Sequence, residues 1–206
     1  MEQACKKCFK FYEDMKIGIT LYPYGEKRPA GLGRAVFEIA RTMLEVDQKN
    51  DYTIFLKNSK LKPNLPGSNW KISPLTLGHT RSLDICIFNT PVMPWWYGIF
   101  GKAKKTAVIA YDFAYIQYSP NKLLKFIHAR VLKKAAIVIV ISEATKNEIM
   151  EIFKIPKEKI KVAYLGFNKI CETAPDPVLN LPEKFFLFVG AIKERKNVLG
   201  VVRAFN

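Results

Sequence analysis

The stretch Ala136-Ile137-Val138-Ile139-Val140-Ile141, followed by Ser142, decides the fold class. Six consecutive apolar residues, most of them β-branched, offer no polar face to water, so a strand here must be buried on both sides. Ser142 then supplies a side-chain oxygen for the first free amides of a helix. The apolar spacing carries that helix to about Phe153, and Pro156 marks its end. A doubly buried strand leading at once into a helix is half of a parallel βαβ unit.

Working outward, runs of the same kind recur at Lys16–Leu21, Asp51–Leu56, Ile85–Phe88, Thr106–Ala110, Ile160–Leu165 and Phe185–Val189. Val36, Ile39, Ala40, Met43 and Leu44 repeat at helical spacing, with Glu38, Arg41 and Glu45 left to face water. The expected fold is therefore α/β, a Rossmann-like parallel sheet with helices on both faces, followed by the start of a second domain of the same kind. Residues 15–170 form the first domain in this reading. Residues 171–182, with three prolines and no apolar period, form a linker, and 183–206 open a truncated second domain with a helix from Asn197 to Phe205. Residues 1–14 precede the first strand as either an upstream extension or a start-site artefact, and no function is assigned to them.

Composition narrows the function. A chain of 206 residues that is 49% hydrophobic can bury a full core. No apolar run is long enough to cross a bilayer and the N-terminus lacks the apolar segment of a signal peptide, so the expected location is the cytoplasm. Of the four cysteines, Cys5 and Cys8 form a lone C-x-x-C with no second pair at zinc-site spacing. Cys86 falls in a strand and Cys171 stands alone, so reduced thiols and no metal are expected.

The net charge of +15 favours an anionic partner. From Asn121 to Lys134 there are five basic residues and no acid. On a helical wheel Lys122, Lys125, Arg130 and Lys133 lie on one side and Leu124, Ile127 and Val131 on the other. Two readings stand: a helix that docks on an anionic membrane surface, or a lysine-rich solvated face over a sheet. Nucleic acid is disfavoured, because a single-strand binder interleaves aromatics with its cations and residues 121–134 offer only Phe126.

Gly31-Leu32-Gly33-Arg34 stands at the entry to the first helix, where glycines let backbone amides approach an anion and the helix dipole favours negative charge. The spacing is not the dinucleotide fingerprint, since the sixth position is Val36 and the loop after the strand is long. A plain loop-to-helix turn explains the pair equally well. Tyr111-Asp112 follows the strand Thr106–Ala110, at the end of a parallel strand that faces ligand crevices. Asp112 there either handles a hydroxyl group or makes an Asx-type turn. Trp95, Trp96 and Tyr97 either meet a sugar face or seal the domain. In Val189–Asn197, Arg195 and Lys196 offer a fork and a point charge suited to a diphosphate, or simply a solvated surface.

Taken together these segments resemble the family-4 group of retaining glycosyltransferases with the GT-B fold. The resemblance rests on Ala30–Arg34 leading into the first helix, on Ile109–Pro120 in the place of the family's histidine-aspartate turn, on Ile139–Asn168, and on Phe186–Asn197, similar to "F-V-G-x-x-x-x-R-K-N". It implies two Rossmann-like domains facing each other across a cleft, with a saccharide or lipid-linked acceptor mostly on the first and a nucleotide-sugar donor mostly on the second. It implies that Gly31 and Gly33 lie near the donor phosphates, that Asp112 with Tyr111 occupies the catalytic turn, and that Arg195 and Lys196 hold the diphosphate. No metal and no separate cofactor are implied, since those two cations do the work of a divalent ion. Many relatives sit on the inner membrane face through a basic helix, which strengthens the membrane reading of Lys122, Lys125, Arg130 and Lys133 and makes a peripheral location an expectation. The implied role is hexosyl transfer in cell-surface polysaccharide or glycolipid assembly. Two features depart from the family pattern. Tyr111 stands where many relatives have histidine, and the acidic E-x7-E region does not occur before Asn206, so the chain alone is expected to be inactive. The rival reading is a non-enzymatic basic module for an anionic membrane or nucleic acid.

Overall fold

The computed structural model describes residues 14–25, 30–57, 60–74, 82–92, 103–114, 116, 121–167, 182, 184–190 and 192–205. Its contacts divide the chain into two units, Met1–Leu165 and Gly166–Asn206. That division falls after residue 165, where the sequence reading placed the domain's end at 170.

In the first unit seven parallel strands form one sheet: β1 Lys16–Thr20, β2 Asp51–Leu56, β3 Trp70–Pro74, β4 Ile85–Phe88, β5 Lys105–Ala110, β6 Ile137–Val140 and β7 Ile160–Val162. Their order is β3-β2-β1-β4-β5-β6-β7. The order runs one way from β1 to β3 and the other way from β4 to β7. It reverses between β1 and β4, which pair with Ile17 against Ile85, Gly18 against Cys86 and Ile19 against Ile87.

Among the described residues three helices cover this sheet: α1 Ala30–Val46, α2 Lys122–Lys134 and α3 Glu143–Phe153. β5 shows why both faces need cover. Ala107 and Ile109 join a core with Ile17, Ile19, Ile54, Ile87 and the α1 residues Ala40 and Leu44. Val108 and Ala110 turn the other way, into a core with Val138 and Val140 of β6, Val131 and Leu132 of α2, and Ile149 and Phe153 of α3. A strand with period-two side chains and no polar residue at those positions buries itself on both sides. The expected α/β class with helices on both faces is what the chain adopts. Ser142 caps α3 as read from sequence, its hydroxyl accepting from the Thr145 amide at 3.1 Å. Lys154 ends the helix in the left-handed region at φ 54.

Two elements differ from the sequence reading. β3 was not expected. At the sheet edge its pattern is mostly half-buried or exposed, and it closes on Pro74, so it lacks the continuous apolar run that marks its neighbours. Conversely, Phe185–Val189 was expected as a strand, and it pairs with none among the described residues. Without a neighbouring strand its amides have no ladder to join, and Phe186 and Val189 stand 80% and 83% exposed. The second unit otherwise holds a 3-10 turn at Glu194–Lys196 and the helix α4 Val198–Phe205, with Phe186 edge-on to Phe205 at 5.2 Å.

Candidate functional site

In a parallel sheet the crevice outside the carboxyl ends of the strands, at the point where the order reverses, is where ligands bind. Here that point lies between β1 and β4. The residues at those ends are Thr20, the last of β1, with Leu21 after it, Asn89 after β4, and Tyr111 and Asp112 after β5. α1 begins ten residues past β1, so its free N-terminal amides also belong to this edge.

Gly31 and Gly33 lie within the first turn of α1 rather than in the loop before it. A Cβ at Gly31 would meet no atom within 4 Å, so the turn is open on that side, whereas Gly33 is buried. No acidic side chain occupies the first turn. The chemistry available is therefore backbone donation to an anion, with no carboxylate to compete.

Asp112 is exposed, and its Oδ1 accepts from the Ala114 amide at 3.3 Å. That contact is the Asx-type turn, and it engages one oxygen of an exposed carboxylate. Phe113, the next residue, is anchored edge-on against His128 of α2 at 5.6 Å and against Phe153 of α3 at 5.0 Å. The Thr145 hydroxyl of α3 donates to the Tyr111 carbonyl at 3.1 Å. The turn is thus fixed from both flanking helices, which is what a charge must have if it is to be held ready for a substrate.

Tyr111 behaves differently from its neighbour. Its ring packs against the α1-side core and its hydroxyl is buried, with burial pushing the phenol up to about 12. Near neutral pH it keeps its proton, so it can donate a hydrogen bond but cannot serve as a base. Burial, together with the charge of Asp112, also raises the Glu148 carboxyl of α3, a residue the sequence did not single out.

Two further residues were missed. Thr20 and Asn89 are each 1% exposed. The Thr20 hydroxyl donates to Asn89 Oδ1 at 2.7 Å, and the Asn89 backbone N–H donates back to the Thr20 oxygen at 3.2 Å. A polar residue directly after a core strand was the available signal. It went unread because Asn89-Thr90-Pro91 looks like an ordinary turn.

The basic helix has the two sides expected of it. Lys122, Lys125, Arg130 and Lys133 are exposed, Leu124 and Ile127 half-buried, and Val131 buried. The exposed side also carries Leu123 at 65% and Phe126 at 54% exposure, so its outward surface is cationic and apolar at once. In the second unit Lys196 is exposed and closes the 3-10 turn before α4. The side chain of Arg195 lies outside the described residues, as do Trp95, Trp96, Tyr97, Cys5, Cys8 and Cys171. Cys86 is buried in β4, and burial pushes its thiol up to about 12, which makes it inert. Among the described residues no three His, Cys, Asp or Glu side chains come together as a metal-binding set. Nor, among them, is any helix long and apolar enough to cross a membrane.

Comparison with known proteins agrees with this architecture. HepE of Anabaena, solved in complex with UDP and glucose, is 16% identical with a TM-score of 0.52, over 75% of this chain and 45% of that one. The same protein solved with UDP matches at 14% identity and a TM-score of 0.50, over 75% and 44%. At such identities the likeness shows the fold. The chain spans less than half the length of these structures. No curated protein matches the chain significantly. The profile of Glycosyltransferase Family 4 matches residues 38–169, well over half of the sequence and nearly all of the sheet described above, and the chain therefore belongs to that family.

Proposed function

We propose that this chain serves a retaining transfer of a hexosyl group from a nucleotide-sugar to a saccharide or lipid-linked acceptor, in cell-surface polysaccharide or glycolipid assembly. The observation that carries the reading is the carboxyl edge of the sheet, along which an open helix start and a pinned aspartate both lie in a family of sugar transferases. Asp112 orients the acceptor hydroxyl or meets the positive charge that develops on the transferring sugar, and Tyr111 stays protonated beneath it. Gly31 and Gly33 offer backbone amides to phosphate oxygens. Arg195 and Lys196 neutralise the leaving diphosphate, so that the reaction needs no metal ion. Catalysis then rests on positioning and charge stabilisation rather than on a covalent nucleophile.

The same reading takes α2 as a peripheral anchor on the inner membrane face. Lys122, Lys125, Arg130 and Lys133 meet anionic headgroups, and exposed Leu123 and Phe126 give the apolar contact that cations alone lack. That combination favours a membrane over nucleic acid.

The deciding experiment uses the protein purified at its native length. Calorimetry against uridine, guanosine and adenosine diphosphates should show one preferred nucleotide. Lys196→Ala and Arg195→Ala should each slow transfer roughly a hundredfold, the effect of losing one charge-assisted contact to a phosphate. If no nucleotide diphosphate binds, or if both variants and Asp112→Asn turn over like the wild type, the reading fails.

A further inference from the structure

The catalytic reading uses Asp112, but it leaves two buried polar groups at the same edge without a role. The carboxamide of Asn89 gives its oxygen to the Thr20 hydroxyl at 2.7 Å, which turns its Nδ2 away from β1. That nitrogen is buried and has no hydrogen-bond partner among the described residues, and the same is true of the Tyr111 hydroxyl. Turning the amide round would only exchange which end is bare. The Thr20 hydroxyl would then be left with the Ile87 carbonyl at 3.4 Å, a poorer acceptor.

These two groups share one face of the sheet. Ile85 and Ile87 of β4, and Ile109 of β5, belong to the α1-side core, and so does Tyr111. Strand alternation places Asn89, two residues past Ile87, on that face as well. The register pairs Phe88 with Val108, which sets Asn89 and Tyr111 at the ends of adjacent strands. Leaving a buried polar group unpaired costs roughly 1–3 kcal/mol, and native chains seldom carry two such groups on one face of adjacent strands without a use.

We propose that Asn89 is an acceptor-binding residue: its carboxamide, oriented by Thr20, and the Tyr111 hydroxyl hydrogen-bond the hydroxyl oxygens of a neutral saccharide seated over the carboxyl ends of β4 and β5, directly or through one bridging water. This rests on the glycosyltransferase reading and names the chemistry of its acceptor. Both groups are neutral donors, and neutral donors suit sugar hydroxyls. A phosphate buried there would bring a charge that neither group can balance. Thr20 is the positioning member of the set, since it decides which end of the carboxamide is presented.

The test is a titration of the full chain, labelled with ¹⁵N at asparagine and in the backbone, with methyl α-glucoside, methyl α-galactoside and, separately, inorganic phosphate. The expected result is that one glycoside shifts the Asn89 side-chain amide pair together with the backbone amides of Thr20 and Asp112. Asn89→Ala should weaken that glycoside at least tenfold, with the melting temperature followed alongside because the change removes both a bare nitrogen and the acceptor of the Thr20 hydroxyl. Thr20→Val, close in shape, should weaken it by a smaller factor by freeing the carboxamide to turn. If the glycoside shifts the Thr20 and Asp112 backbone but not the Asn89 side chain, and Asn89→Ala binds as well as the wild type, the inference falls while the acceptor-side reading survives. A shift of the Asn89 side chain by phosphate alone would replace the saccharide with an anion and overturn the inference. No response of the edge to any glycoside would overturn both. A drop of several degrees in Asn89→Ala with unchanged affinity would show a purely structural asparagine.

Discussion

The two edges of the sheet treat their buried side-chain donors in opposite ways. At the amino edge the buried side-chain donors are paired, and the bare atom there among the described residues is an acceptor, Asn69 Oδ1. Asp47, just past α1, accepts from the Tyr52 hydroxyl at 2.6 Å, the Asn50 side chain at 2.7 Å and the Lys49 amide at 3.0 Å. Asn50 in turn accepts from the Met15 amide at 2.8 Å, and Asn69 donates to the Asp47 and Asn50 carbonyls. Burial pushes the Asp47 carboxyl up, but the donors from Tyr52, Asn50 and Lys49 outweigh it and hold it below its ordinary range. At the carboxyl edge Asn89 Nδ2 and the Tyr111 hydroxyl have no partner among the described residues, and a Cβ on Gly31 would meet nothing within 4 Å. The first edge is built for stability and the second leaves donors for something else. Within one domain, the satisfaction of buried donors separates scaffold from site better than burial does, since Asp47 and Asn89 are both buried.

The largest expected effect strikes the paired edge. Asp47→Ala strands the Tyr52 hydroxyl and the Asn50 amide in the interior and should cost about 3–4 kcal/mol, read from urea unfolding. A loss below about 1 kcal/mol would erase the distinction between the edges.

Next comes acid. Burial pushes His128, which supports the Asp112 turn through Phe113, down to about 4 from its ordinary 6.5. Between those values the unfolded chain binds a proton that the folded chain refuses. Stability should be whole above pH 6.5 and fall by about 3 kcal/mol as the pH drops to 4. Asp47 acts lower. Its contribution is present above pH 3.8 and is lost only as the pH falls below that value through its depressed folded pKa. Acid should therefore loosen the carboxyl side first, which hydrogen exchange at the Phe113 and Asn50 amides can follow. His128→Leu should flatten the upper phase, and an unchanged slope would assign it elsewhere.

A third substitution probes the centre of the sheet, between the edges. A Cβ on Gly18 would stand 2.6 Å from Leu83 Cδ1 and 2.8 Å from Phe55 Cε2, so Gly18→Ala should cost about 2 kcal/mol by overpacking. The smallest effect has the opposite sign. Gly31→Ala meets nothing and gains helix propensity, so it should stabilise by a few tenths to about 1 kcal/mol in thermal unfolding. A destabilised Gly31→Ala would mean that the open turn already serves the scaffold.

Much of this was legible in the sequence because burial on two faces writes itself as an unbroken apolar run. β5, β6 and the Ser142 cap of α3 were readable that way, and so was the position of Asp112 just past β5. β3 was not, because an edge strand is half wet and Trp70-Lys71-Ile72-Ser73-Pro74 carries no such run. The Thr20–Asn89 pair was invisible for a different reason. It joins residues 69 apart, and nothing local to either predicts a hydrogen bond that exists only because the sheet order reverses between them. Glu148 escaped for the same cause, since its shift comes from burial and from Asp112 on another element.

The reversal of strand order also governs how the chain must assemble as it leaves the ribosome. β1, β2 and β3 can pair as soon as residue 74 has emerged, but the other side of β1 belongs to β4 and stays unpaired until Ile85–Phe88 appears. For that interval the nascent half-sheet shows an open edge at Ile17-Gly18-Ile19, a template for the wrong partner. Lys16, exposed at the head of that strand, is the one charge along β1 that opposes such pairing. The central seam, which later presents the ligand crevice, is therefore the last joint of the half-sheet to close and the place where a slowed ribosome would do most harm.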